Sequence, residues 1–102
     1  MSKQYKAKLV GTGYSEGARE TLKSLPNETP VVLRREPKNP YDKYAISVWF
    51  GEIRLGYIAR ANNRAYAEDM DHGVSLSAVI ACENPALAFE IPLVITIGGE
   101  EW

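Results

Sequence analysis

The stretch YAISVWFGEIRLGYIA, residues 44–59, decides the fold class. Two runs rich in β-branched and aromatic residues, YAISVWF and IRLGYIA, flank Gly51-Glu52. Such a pair about a two-residue turn reads as an antiparallel hairpin. Working upstream, TPVVLRRE (29–36) reads as a strand through Val31, Val32 and Leu33, and the Asn39-Pro40 step between it and the hairpin forces a turn. At the start, KQYKAKLV (3–10) sets Tyr5, Ala7 and Leu9 against polar neighbours, the period of a half-buried strand. GTGYSEG (11–17) breaks it. Ser15 is placed to cap a short helix in which Ala18, Leu22 and Leu25 recur at helical spacing before Pro26 and Asn27 end it.

Downstream the period changes at Arg60. Ala61, Ala65, Ala67 and Met70 suit a second helix, Arg64 and Glu68 stand four apart on it, and His72-Gly73 closes it. VSLSAVIAC (74–82) and LAFEIPLVITI (87–97) supply two more strands joined by Glu83-Asn84-Pro85, and Pro92 inside the last one predicts an edge or a bulge. The expected fold is mostly β (α+β). About six short strands and two short helices form a small antiparallel sheet curled into an OB-like or SH3-like barrel. Residues 1–102 are expected to form a single domain, a length that buries enough surface for one core without a staple.

No window approaches the roughly 18 consecutive apolar residues of a membrane span. MSKQYKAKLV has lysines but no apolar run of export type, so the cytoplasm is the expected location. Cys82 is the single cysteine, which leaves no internal disulfide and no metal-ligand spacing. The net charge of −1 conceals a division along the chain. All twelve Lys and Arg lie in residues 1–64 with six acids, a balance of +6; residues 65–102 hold seven acids and neither Lys nor Arg, a balance of −7. Such asymmetry can make one face attract anions while the whole stays near neutral.

Candidates for catalysis are few. His72, the single histidine, stands at a helix end where it suits capping. Cys82 ends an apolar strand with no base beside it, and Gly11-Thr12-Gly13 is too short to cradle phosphate. No enzyme activity, metal or cofactor is expected. Recognition is better supplied: RREPKNPYD (34–42) places Asn39, Tyr41 and Asp42 within four residues, polar and aromatic groups on a loop set by a rigid sheet. The same residues could serve structure alone, with Asn39-Pro40 making the turn, Asp42 holding backbone amides and Tyr41 covering the barrel end. Both readings stay open on these residues.

The segment LRREPKNPYDKYAISVWFGEIRLGYIAR (33–60) resembles the HIRAN domain. That family is marked by R-E-P-x-N-P-Y-D, then x-x-A-I-x-V, then a strand ending in Gly-Tyr or Gly-His with a basic residue after it. Val10-Gly11, Tyr14 and the helix after Arg60 extend the likeness over about three-quarters of the chain. The resemblance implies an OB-type barrel, here a free-standing member of bacterial kind, that binds the 3′ end of single-stranded DNA without catalysis in repair or replication-fork processing. It implies Asp42 as acceptor for the terminal hydroxyl, Asn39 beside it, Tyr41 and Tyr14 as stacking surfaces, and Arg60 on a phosphate. Arg34 and Arg35 alternate in direction, so at most one faces the groove; Arg34 is included with the site, and Tyr57 takes the position of the family's histidine, to stack or donate its hydroxyl. The implied partners are a single-stranded 3′ end and a helicase or other repair protein, with no membrane. The alternative is a protein-interaction adaptor of the same fold, motivated by Gly13 where DNA-gripping members carry arginine, by Tyr57 and by the acidic last third.

Overall fold

The hairpin read from residues 44–59 is one edge-to-edge pair in a closed cylinder. The computed structural model describes residues 3–12, 17–81 and 90–97. In them the strands are β1 (Lys3–Val10), β2 (Pro30–Arg35), β3 (Ile46–Phe50), β4 (Ile53–Ile58), β5 (Leu76–Ile80) and β6 (Ile91–Ile97), with helices α1 (Ala18–Leu22) and α2 (Arg60–Asp71). All strand pairs are antiparallel, in the order β1-β4-β3-β2-β5-β6, and β6 closes on β1. The period of two sends Leu9, Ile46, Val48, Leu55, Ile80, Ile91, Leu93 and Ile95 into the interior, where each is almost wholly buried.

Gly51 opens the β3–β4 turn at φ +60°, a conformation that costs a residue without Cβ little, and Phe50 then pairs with Ile53. The predicted edge or bulge at Pro92 is corrected by the closure. Pro92 pairs with Lys8 of β1, and no register shift falls there; the irregular step is in β3, between Val48 and Trp49. Proline is tolerated because it lies next to the beginning of β6, beyond the end of β5 at Ile80. Its carbonyl accepts from the Ala81 amide at 2.9 Å, and its ring nitrogen faces the same side, where the ladder with β5 has finished.

At five residues α1 is far too short to persist on its own, and its N-cap, Gly17, makes no side-chain capping bond. Ser15, the expected cap, lies outside the described residues. What holds α1 is burial of Ala18, Leu22 and the following Leu25; a fully buried leucine contributes about 2 kcal/mol. Of the four residues whose spacing predicts α2, two face the core and two do not. Ala61 and Ala65 are exposed, whereas Asn63, Tyr66, Ala67 and Met70, at i, i+3, i+4 and i+7, face inward. The Tyr66 hydroxyl donates to the Lys6 carbonyl at 3.1 Å and ties this face to β1. The helix ends as its His-Gly pair predicts. Val74 N–H reaches the Asp69 carbonyl and Gly73 N–H the Met70 carbonyl, with Gly73 at φ +84°, and His72 Nδ1 stands 2.7 Å from the Glu68 carbonyl.

At Gly56 two strands approach too closely for a side chain. A Cβ built there would overlap the carbonyl oxygen of Val10 and press on Leu9, because β1 crosses β4 at this residue. Gly56→Ala is therefore expected to lower the urea midpoint by the equivalent of about 3 kcal/mol. Gly51→Ala, with open space around the added carbon, should cost only about 1 kcal/mol of left-handed strain. Equal midpoints for the two variants would show that the β1–β4 crossing is not tight.

Candidate functional site

Between β2 and β3 the chain makes a ten-residue excursion, 36–45, whose base is closed by Glu36 N–H donating to the Ala45 carbonyl at 3.0 Å. Pro40 fixes its own φ and has no amide to place. The next two amides, of Tyr41 and Asp42, both donate to Asn39 Oδ1, at 2.8 and 3.2 Å. Asn39 Nδ2 in turn donates to Glu36 Oε1 at 3.1 Å, so one asparagine side chain satisfies three points of the loop.

The loop is then fastened along α2. Asp42 Oδ1 accepts from the Tyr44 amide at 2.9 Å; Asp42 Oδ2 accepts from Asn63 Nδ2 at 2.8 Å and lies 3.5 Å from Arg60 Nε. Arg60 Nη2 donates to the Tyr41 carbonyl at 2.8 Å. At the far end of the helix Arg35 forks onto both oxygens of Asp71, at 3.0 and 3.1 Å, and also donates to the Ala45 carbonyl. Backbone on both sides of Tyr41 is thus held while the residue stays 84% exposed. A large apolar ring kept in solvent on a fixed backbone has no packing role.

Beneath the loop is a cleft of about 460 Å³ lined by Asn39, Tyr41, Asp42, Tyr57, Arg60 and Asn63, with Arg54 at its side. Five residues singled out from the sequence, Asn39, Tyr41, Asp42, Tyr57 and Arg60, converge there. Arg34 does not line it: its guanidinium lies over the Trp49 ring, 4.2 Å from the centroid, on the outer face of the sheet. Tyr14, Gly13 and Cys82 lie outside the described residues. Arg54 and Asn63 were missed. Asn63 carried a signal, since a polar residue at the i position of an inward helical face is buried and needs a partner.

Electrostatics follows the contacts. Burial pushes the Asp42 carboxyl up, but the Tyr44 amide, the Asn63 side chain and the charges of Arg60 and Arg35 outweigh it and hold the group below the ordinary 3.8. Glu36 is likewise raised by burial and lowered further by Asn39, Ser47, Tyr57 and Arg54, ending below its ordinary value. The Tyr57 hydroxyl donates to Glu36 Oε1 at 3.0 Å and accepts from Arg54 at 3.1 Å; burial and that carboxylate raise its pKa. Among the described residues no group of three His, Cys, Asp or Glu gathers in a metal-binding arrangement.

Asp42 carries a pH signature. A depressed native pKa contributes stability above the unfolded value, which is lost as pH falls through the native one. Asp42→Asn, which turns an amide toward Asn63 and Arg60, should be less stable than the parent at pH 5–7. The difference should close as pH drops below 3.8. Urea midpoints of both proteins across that range measure it, and a difference independent of pH would show that the charge of Asp42 does not hold the loop.

Residues 3–97 match the HIRAN domain family. A helicase-like transcription factor from Oryctolagus cuniculus is 34% identical over 96 residues, 91% of this chain but 10% of that protein, so the chain spans about a tenth of the length of such relatives. Among solved structures, a protein from Lactobacillus plantarum superposes with a TM-score of 0.83 at 32% identity, covering 95% of this chain and 97% of that one. The HIRAN domain of human HLTF gives 0.78 at 29% identity, covering 94% and 78%. The HLTF HIRAN domain in its DNA-bound conformation gives 0.65 at 29% identity, covering 95% and 76%. With the family matched over nearly its whole length and its hallmark residues forming one loop and cleft, this chain belongs to the HIRAN domain family.

Proposed function

We propose that the protein binds single-stranded DNA and reads its 3′-hydroxyl end in the cleft beneath loop 36–45, without catalysis. The existence of a DNA-bound HLTF HIRAN structure supports DNA as the ligand. The observation that carries end recognition is the state of Asp42. A carboxylate offers about four lone-pair positions; two hydrogen-bond donors occupy it and the Arg60 guanidinium stands alongside at 3.5 Å, which leaves acceptor capacity for a further hydroxyl. Its side chain keeps 18% exposure, so a ligand in the cleft can reach it. An ionised carboxylate accepts from a hydroxyl and repels a phosphate, which separates a strand end from its interior. Tyr41 supplies the exposed face on which a base stacks, at about 1–3 kcal/mol per base and with little regard for sequence. Arg60 lies against the Asp42 carboxylate and the Tyr41 carbonyl with 73% of its side chain exposed, where a phosphate can meet it. The helicase-like name of the longer relative supports a place beside a helicase; a role in repair or replication-fork processing belongs to the same proposal and rests on the family resemblance.

Fluorescence anisotropy of a labelled ten-nucleotide strand ending in a 3′-hydroxyl or a 3′-phosphate tests this. The hydroxyl strand should bind at least about tenfold tighter, the scale of a hydrogen bond to a charged group. That ratio should widen as pH rises from 5 to 7.5, because the phosphate gains its second charge near 6 while Asp42 is already ionised. Equal affinities, or an unchanged ratio in Asp42→Asn, would rule out end reading by Asp42. Tyr41→Ala should weaken binding about tenfold or more while moving stability by less than about 0.5 kcal/mol, since the loop is held through the backbone of that residue and not its ring.

A further inference from the structure

The outer face of β2, β3 and β4 continues away from the cleft. Register places Arg34 beside Ser47 and Ser47 beside Tyr57, and in the next row Val32 beside Trp49 and Trp49 beside Arg54. Tyr57 and Arg54 belong to the cleft, so the surface runs from it across two strand spacings, roughly 10 Å, to Arg34. Trp49 is fixed in place, its Nε1 donating to Ser47 Oγ at 2.8 Å, and Ser47 is itself fully buried. On this ring lies the Arg34 guanidinium, while its neighbour Arg35 is committed to Asp71. Arg34 is exposed and has no carboxylate within ion-pair distance among the described residues. The guanidinium thus rests over indole on an exposed residue, and its donors meet no carboxylate among the described residues.

We propose that Arg34 on Trp49 is a second nucleotide shelf. It would stack an upstream base of the strand whose end lies in the cleft and bind an adjoining phosphate. The inference rests on the reading of the cleft given above. A guanidinium backed by an aromatic ring is rigid and weakly hydrated, which suits it to stacking and forked phosphate contact at once. A gap of roughly 10 Å spans about three phosphates at duplex spacing, and fewer in an extended strand, so two nucleotides fill the cleft alone and a longer strand also reaches Arg34.

The test compares a dinucleotide with an octanucleotide of thymidine, both with free 3′-hydroxyls. The longer strand should bind about tenfold tighter to the parent. Arg34→Ala should remove that gain and leave dinucleotide affinity unchanged; Arg34→Lys, which keeps charge without a plane, should restore only part of it. In a Trp102→Phe background, Trp49 fluorescence should change with the octanucleotide and not with the dinucleotide. Equal affinity for both lengths, or an intact length gain in Arg34→Ala, would overturn the shelf while leaving end recognition in the cleft unharmed. An Arg34-dependent length gain with no preference between 3′-hydroxyl and 3′-phosphate would instead keep the shelf and remove the end-reading role of Asp42. Failure of both strands to bind would overturn both.

Discussion

The carboxylate of Asp42 is the point through which a ten-residue loop becomes part of the barrel. It takes the Tyr44 amide from within the loop and the Asn63 side chain from α2, with Arg60 alongside. Each contact depends on another: Asn63 is buried, so without Asp42 its amide would be left unsatisfied at a cost of about 1–3 kcal/mol. The Arg35–Asp71 fork at the other end of α2 keeps the base of the loop from swinging away. Loop and helix are consequently one rigid wall, and the position of Tyr41 is set by β2, β3 and α2 together.

That dependence explains how one side chain can be both structural and functional. The donors that fasten Asp42 also keep it ionised, because burial alone would favour the neutral acid. A group held charged, partly desolvated and with acceptor capacity to spare favours a hydroxyl more sharply than a solvated carboxylate could. The two readings of the loop left open by the sequence, turn-making and recognition, are therefore compatible. Asn39 makes the turn, Asp42 holds amides and Tyr41, which could have covered the barrel end, stands in solvent.

The strands were legible because their signal is local: alternation in 3–10, β-branched runs in 29–36 and 74–82, and a glycine where the hairpin turns. Closure of the sheet was legible only as a tendency. Pro92 was misjudged because the length of its neighbour β5, which decides whether a missing amide matters, is not written near it. The inward face of α2 was legible only in Ala67 and Met70, because alanines fit either side of a helix, while the decisive residue, Asn63, is polar and buried against a loop twenty-one residues earlier. Long-range pairing of this kind has no local pattern. The loop residues were legible through their order in the motif, and Arg54 was not, since it enters the cleft by register across the barrel. Total charge was equally uninformative, as the cationic groups act singly: Arg35 on Asp71, Arg60 on Asp42 and the Tyr41 carbonyl, Arg34 on Trp49.

We propose that the cleft under loop 36–45 receives a 3′-hydroxyl at Asp42. The most direct measurement is amide chemical-shift mapping during titration with a short single strand, run in parallel with 3′-hydroxyl and 3′-phosphate ends. The predicted result is that the Tyr44 amide and the Asn63 side-chain amide, both bonded to Asp42, shift strongly with the hydroxyl strand and weakly with the phosphate strand. Shifts of the same size for both ends, or shifts that spare residues 39–45, 60 and 63, would contradict it.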